Sequence, residues 1–269
     1  MKLSRVLTYS SALLIGAVLA LTGAGPAQAA PTAAAVDYVA LGDSYSSGVG
    51  AGNYESSSGS CKRSTRAYPR LWANANAPSS FAFTACSGAV TSDVTAGQLG
   101  PVNAGTDLVS LTVGGNDAGF ADVMTTCVLQ SESACVNRVN QAKAYVDNTL
   151  PGRLDSVYRA IRAKAPSARV VVIGYPRFYQ LGGGCLAGLS ETERAAINGA
   201  SDHLNTAIAK RAADHGYAFT GVVSAFTGHE ICSPAPWLHS VNWLNIGESY
   251  HPTAAGQSGG YLPVFRAAA

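Results

Sequence analysis

Asp107-Leu108-Val109-Ser110-Leu111-Thr112-Val113, closed by Gly114-Gly115, is the stretch that decides the fold. It is nearly all apolar and does not alternate, which is the pattern of a strand covered on both faces. Val170-Val171-Val172-Ile173 repeats it. Val36-Asp37-Tyr38-Val39-Ala40-Leu41, Phe81-Ala82-Phe83 and residues 217–223 supply further β-rich runs. Helical patterns lie between them. Residues 68–76 form one patch. Val136, Val139, Val146, Leu150, Leu154, Val157 and Ile161 recur at three- and four-residue multiples, the buried stripe of a helix that Pro151 kinks or divides. Ser190 and Glu193 make a capping box opening a helix that runs to about residue 214. Thr253 caps a last short helix just after His251-Pro252. Strands alternating with helices predict βαβ units, right-handed crossovers and a three-layer α/β/α domain around a mostly parallel sheet.

The first residues do not belong to that pattern. Lys2 and Arg5 precede an apolar run, Val6 to Leu21, and the small-residue site Ala27-Gln28-Ala29 follows. This is the order of a secretory signal peptide over residues 1–33, with cleavage between 29 and 33. The run is broken by polar residues and is too short for a comfortable bilayer span, and nothing later approaches one. Residues 34–269 then form a single domain. The whole chain has 18 Lys+Arg against 16 Asp+Glu, and losing Lys2 and Arg5 with the leader leaves 16 against 16. Bulk charge therefore gives no attraction to nucleic acid or to an anionic membrane.

Six cysteines remain: Cys61, Cys86, Cys127, Cys135, Cys185 and Cys232. An even number in an exported chain predicts three disulfides among the 15 pairings that six cysteines allow. The sequential pairing, Cys61–Cys86, Cys127–Cys135 and Cys185–Cys232, is favoured, because Cys127 and Cys135 bracket a short polar loop and the other pairs staple long loops. A zinc site has no Cys-x-x-Cys pair to rest on.

In a parallel sheet the ligand sits outside the carboxyl ends of the strands. Four polar or glycine positions fall on loops at that rim. Ser44 follows the first strand in Gly42-Asp43-Ser44-Tyr45-Ser46. Gly88 follows the second, in Cys86-Ser87-Gly88-Ala89. Asn116 follows the third, in Gly114-Gly115-Asn116-Asp117, and His251 precedes the final helix. A serine hydroxyl becomes a nucleophile when a base removes its proton, and acyl transfer also needs donors for the developing oxyanion. Each residue has an ordinary reading too: Asp43 or Ser44 as a helix cap, Gly88 as a turn, Asn116 as a cap. Of five histidines, His203 and His215 lie on a predicted helix or its end, and His229 and His239 flank Cys232 in a tryptophan-containing loop. His251, in a polar loop with Pro252 behind it, is the best base.

Together these blocks resemble the four ordered motifs of the SGNH (GDSL) hydrolase family, along essentially the whole chain after the leader. Among its members the chain is most similar to secreted streptomycete lipases and phospholipases A1, including the six cysteines and Trp237-Leu238-His239. The resemblance implies a flavodoxin-like fold, Ser44 as nucleophile and His251 as general base. It also implies an oxyanion hole made by the N–H groups of Ser44 and Gly88 and the Asn116 amide. The family commonly has an aspartate three residues before the histidine, where this chain has Glu248. In the subgroup it most resembles, a main-chain carbonyl two residues before the histidine orients the ring instead. That is Ser249 here, favoured over Glu248.

The expected activity is a secreted carboxylic-ester hydrolase of class EC 3.1.1.- acting on lipid, phospholipase A1 first and triacylglycerol lipase or broad esterase second. It needs no metal or cofactor and works as a monomer without a transmembrane anchor, touching lipid surfaces only transiently. Phe120, Phe178, Tyr179 and Leu181 are candidates to line an acyl groove, and equally to be core. Rival motifs fail. Gly48-Val49-Gly50-Ala51-Gly52 lacks the register of a dinucleotide fingerprint, and no Gly-Lys-Ser/Thr P-loop is present. Ser46 replaces the second glycine of an α/β-hydrolase elbow. The alternative outside enzymes is a lipid- or carbohydrate-binding module that lost its chemistry.

Overall fold

A computed structural model describes residues 36–185 and 188–269 of the chain. The predicted leader, residues 1–33, lies outside them. Five parallel strands form one sheet in the order β2-β1-β3-β4-β5. They are β1 Asp37–Gly42, β2 Ser80–Phe83, β3 Leu108–Thr112, β4 Arg169–Ile173 and β5 Ala218–Thr220. The decisive run is the middle strand: every residue of β3 is buried, as are four of the five in β4. Its two polar residues, Ser110 and Thr112, are fully buried but satisfied. Ser110 Oγ is 2.7 Å from Tyr38 Oη, and Thr112 Oγ1 donates to Asp43 Oδ1 at 2.6 Å.

The helices are α1 Ser44–Ser47, α2 Tyr68–Asn76, α3 Thr91–Asp93, α4 Phe120–Leu129, α5 Glu132–Asn148, α6 Leu150–Lys164, α7 Glu191–Asp214, α8 Val223–Phe226 and α9 Leu262–Ala268. Packing divides the main ones into two layers. α2 packs with α9, while α3 packs with α6 and α6 with α7. Pro151 divides the predicted long helix, because α5 ends at Asn148 and α6 carries the proline in its first turn, where no N–H is needed. The capping box is formed: Ser190 Oγ accepts from Glu193 N, and Glu193 Oε2 accepts from Ser190 N. Thr253 Oγ1 accepts from Gly256 N, and the helical path continues through a π segment, Gly256–Tyr261, into α9.

Two expectations are corrected. The run 217–223 is strand only over Ala218–Thr220, since β5 is an edge strand whose one partner, β4, ends opposite it at Ile173. Val223 instead opens α8. The segment between Cys127 and Cys135 is mostly helix, with Cys127 in α4 and Cys135 in α5, so that disulfide joins two helices. All three sequential disulfides are present. Among the described residues no helix is long and apolar enough to cross a membrane.

The strand order reverses direction between β1 and β3, the switch point where sheets of this order open a crevice at their carboxyl ends. The loops after β1 and β3 carry Ser44 and Asn116.

Candidate active site

β1 ends at Gly42, whose φ of +121° suits glycine alone, and a Cβ there would collide with the Thr112 carbonyl of the neighbouring strand. Gln98 clasps this glycine, accepting from its N–H at 2.7 Å and donating to its carbonyl at 2.9 Å. The chain turns directly into α1, capped by Asp43, whose Oδ1 accepts from Tyr45 N at 3.0 Å. Of the two capping candidates, Asp43 takes the role and leaves the Ser44 hydroxyl unencumbered.

Asp43 is 1% exposed. Its carboxylate accepts from the hydroxyls of Thr112 and Tyr175 as well as from Tyr45 N. Burial pushes its carboxyl up to about 6, and those hydrogen bonds oppose the rise. Tyr175 is pushed well above its ordinary range, mainly by burial and then by Asp43 itself. The tyrosine is therefore the donor of that pair. These contacts tie α1 to β3 and to the loop after β4, so Ser44 sits on a rigid base.

Ser44 Oγ lies 2.7 Å from His251 Nε2. The other ring nitrogen, Nδ1, lies 3.0 Å from the Ser249 carbonyl oxygen, so Nδ1 carries the proton and Nε2 faces the serine as acceptor. Tyr250 between them has φ +66°, a left-handed conformation costly for a bulky residue. Its surroundings hold it there: Tyr45 Oη donates to the Tyr250 carbonyl at 2.7 Å, and Tyr250 is only 5% exposed. That bend turns the Ser249 carbonyl back beneath the imidazole. His239 braces the same loop, with backbone bonds to His251 and Tyr250 and its Nε2 2.8 Å from the Gly50 carbonyl.

Glu248 does not reach the imidazole. Its Oε1 accepts from Tyr54 Oη at 2.7 Å, and Tyr54 Oη in turn accepts from Gly50 N at 2.9 Å. Burial lowers the His251 pKa from its ordinary 6.5 to about 4, the Ser249 carbonyl pulls it partly back, and Glu248 makes the smallest of the contributions.

Gly88 and Asn116 line the same cleft as Ser44, Ser249 and His251. Gly88 has φ +79°, again a glycine conformation. Among the described residues neither Ser44 N–H nor Gly88 N–H has an acceptor. Asn116 spends one amide hydrogen on the Ala89 carbonyl at 3.0 Å, which leaves the other available. Asp117 secures the same two loops to each other, accepting from Thr91 N at 3.0 Å and Thr91 Oγ1 at 2.6 Å. The four blocks thus meet at one cleft, which brings together a serine hydroxyl, an imidazole, two backbone N–H groups and a side-chain amide. Such an arrangement can remove the serine proton and hold a developing oxyanion. The remaining histidines have other partners: His203 with Asp147, His215 with Asp155, and His229 stacked on Trp237.

Of the four acyl-groove candidates, Phe120 and Phe178 line a cleft beside Ser44. Tyr179 and Leu181 do not, and Leu181 is half exposed at the surface. Sequence reasoning missed Tyr54, Thr91, Thr112 and Tyr175, whose partners are far along the chain.

The model of the GDSL-like lipase/acylhydrolase family matches residues 40–258. Lipase 1 of Streptomyces coelicolor is 69% identical over 269 residues, covering 100% of both chains. The crystal structure of phospholipase A1 from Streptomyces albidoflavus NA297 matches with a TM-score of 0.86 and 71% identity, covering 88% of this chain and 100% of that one. The extracellular lipase from Streptomyces rimosus matches with a TM-score of 0.86 and 67% identity, covering 87% and 100%. Fold, cleft and relatives together define a carboxylic-ester hydrolase. Within that class, the chain belongs to the GDSL-like lipase/acylhydrolase family.

Proposed function

We propose that the protein is an exported phospholipase A1, releasing the sn-1 fatty acid of glycerophospholipids through a Ser44–His251 dyad. The observation that carries the mechanism is the line Ser249 O, His251 Nδ1, His251 Nε2, Ser44 Oγ, with its two gaps of 3.0 and 2.7 Å. In the first step a bond forms between Ser44 Oγ and the ester carbonyl carbon while the serine proton passes to Nε2. The carbonyl oxygen becomes an oxyanion facing the N–H groups of Ser44 and Gly88 and the Asn116 amide. The bond to the alcohol oxygen breaks as Nε2 returns the proton to it. A water then repeats the sequence on the acyl-enzyme and frees the acid. The Ser249 carbonyl fixes the tautomer and steadies the charged ring, as a carboxylate does in a triad.

A lipid substrate is supported by the rim of the cleft. Leu129, Trp243 and Ile246 line it and are 66%, 70% and 61% exposed, and no charge lies between Ser240 and Gly247. The relative of known structure described as phospholipase A1 supports that specificity, while two relatives are named simply as lipases, and triacylglycerol is the alternative substrate the test includes. Export through a leader over residues 1–33 is supported by the three disulfides, which persist in oxidising surroundings. The test supplies phosphatidylcholine with different chains at sn-1 and sn-2, alongside triolein, and identifies the acid released. Release of the sn-1 acid from phosphatidylcholine supports the proposal. Release from triolein alone assigns the lipase activity instead.

A further inference from the structure

Among the described residues five large apolar side chains stand exposed: Leu129, Leu181, Trp243, Leu244 and Ile246. Four of the five gather at one place. Leu129, Trp243 and Ile246 line the cleft that holds Ser44 and His251, and Leu244 lies in the chain between the last two. Leu244 is 101% exposed and lines neither cleft beside Ser44, so nothing inside the molecule accounts for it. A lone exposed leucine is ordinary, whereas an apolar cluster around the mouth of a cleft marks a contact surface.

The loop that carries the cluster is suited to leaving water. Residues 241–247 have no charge. Asn242 satisfies the backbone around it: its side-chain oxygen accepts from Leu244 N at 3.1 Å and Asn245 N at 3.2 Å, and its own N–H donates to Ser249 Oγ at 2.9 Å. Farther on, Glu248 N donates to the Asn245 carbonyl and Ser249 N to the Ile246 carbonyl. Amides bonded in this way move into an apolar layer at far lower cost than unpaired ones. At the foot of the loop stands one charge of each sign, Glu248 and Lys62, whose Nζ would lie 3.5 Å from a Cβ on Gly247.

These features select the partner. A polyanion or a charged peptide meets no opposite charge on residues 241–247. A protein seated on the patch would stopper the cleft, since three of the four side chains line its mouth. A lipid surface instead delivers an ester into that mouth, and tryptophan suits the boundary between headgroup and hydrocarbon. Resting on the reading of the protein as a hydrolase of lipid esters, we infer that residues 241–247 with Leu129 seat it on a neutral lipid bilayer. Trp243, Leu244 and Ile246 enter the bilayer's interfacial layer and hold the cleft mouth against it.

The test uses vesicles of an ether-linked phosphatidylcholine, which present the surface but no ester to cleave. Of the three tryptophans, Trp72 is buried and Trp237 is stacked on His229, so a blue shift of emission on adding vesicles reports Trp243. We expect that shift, its loss in Trp243→Phe, and binding that persists in about 1 M NaCl, where the Debye length is about 3 Å. Leu244→Ser weakens vesicle binding about tenfold or more, the worth of burying one leucine, while Leu181→Ser leaves it unchanged. Hydrolysis of soluble p-nitrophenyl butyrate by Leu244→Ser stays at the wild-type rate, because Leu244 lines neither cleft. Vesicle binding that Leu244→Ser does not weaken, binding abolished by the salt, or a wild-type dimer that Leu244→Ser dissociates overturns the inference. A wild type that cleaves no p-nitrophenyl butyrate overturns the hydrolase reading instead, a result separate from the binding measurement.

Discussion

Replacing Glu248 by glutamine separates two ways of orienting a histidine. The carboxylate is bonded to Tyr54 at 2.7 Å, while the imidazole proton goes to the Ser249 carbonyl at 3.0 Å. The amide of Glu248→Gln keeps the shape and an acceptor oxygen, so Tyr54 exchanges a charge-assisted hydrogen bond for a neutral one. The difference between those classes is about 1 kcal/mol, equivalent to a melting temperature lower by about 2–4 °C for a chain of this size. The effect on chemistry is indirect. Tyr54 holds Gly50 N–H, and Gly50 packs against His239 and His251, so a slight shift reaches the imidazole. We expect kcat/KM on p-nitrophenyl butyrate to stay within about tenfold of wild type, against the loss of about 10⁴ seen when a triad carboxylate is neutralised. Glu248 pulls the His251 pKa slightly upward, so its removal moves the acid limb of the rate profile marginally down. The assay is steady-state hydrolysis across pH beside thermal unfolding of the same sample. A loss of several orders of magnitude in a folded variant would refute the Ser249 assignment.

The remaining expectations are briefer. His251 acts as a base only when neutral, and burial lowers its pKa to about 4. The acid limb of kcat/KM therefore falls near pH 4, and a limb near the ordinary 6.5 would contradict the burial argument. Asn116→Ala removes one proposed oxyanion donor and lowers kcat by about 10²–10³; it also loses the bond to the Ala89 carbonyl, so a native circular-dichroism spectrum at the assay temperature is the control for folding. The disulfides close loops of 8, 25 and 47 residues. Chain entropy makes the paired Cys127→Ser, Cys135→Ser change cost about 2.5 kcal/mol and the Cys185, Cys232 pair about 4 kcal/mol, an order that urea denaturation checks.

What was legible depends on range. The unbroken apolar runs of β3 and β4 and the Ser190–Glu193 box declare themselves because their causes are local. The limits of β5 do not, since they are set by where β4 ends. α4 is hidden behind Gly114, Gly115 and Gly119, and its β-branched Thr125 and Thr126 weaken any helical signal. At the site, motif order brought Ser44, Gly88, Asn116 and His251 into one reading, and the cleft joins them. The support beneath them was not readable. Thr112 reaches Asp43 across 69 positions and Tyr175 across 132, and neither residue type advertises it. The choice between Glu248 and Ser249 stayed open for a further reason. A main-chain carbonyl leaves no trace in residue identity, and Tyr54, which diverts Glu248, lies 194 positions away.

If Ser44 is the nucleophile and His251 activates it, diethyl p-nitrophenyl phosphate labels that serine, and mass spectrometry maps the adduct. We expect one diethylphosphoryl group per chain, on Ser44, appearing in step with loss of ester hydrolysis and greatly slowed by His251→Ala. An adduct on another residue, or a Ser44→Ala variant that still turns over ester at the wild-type rate, would contradict it.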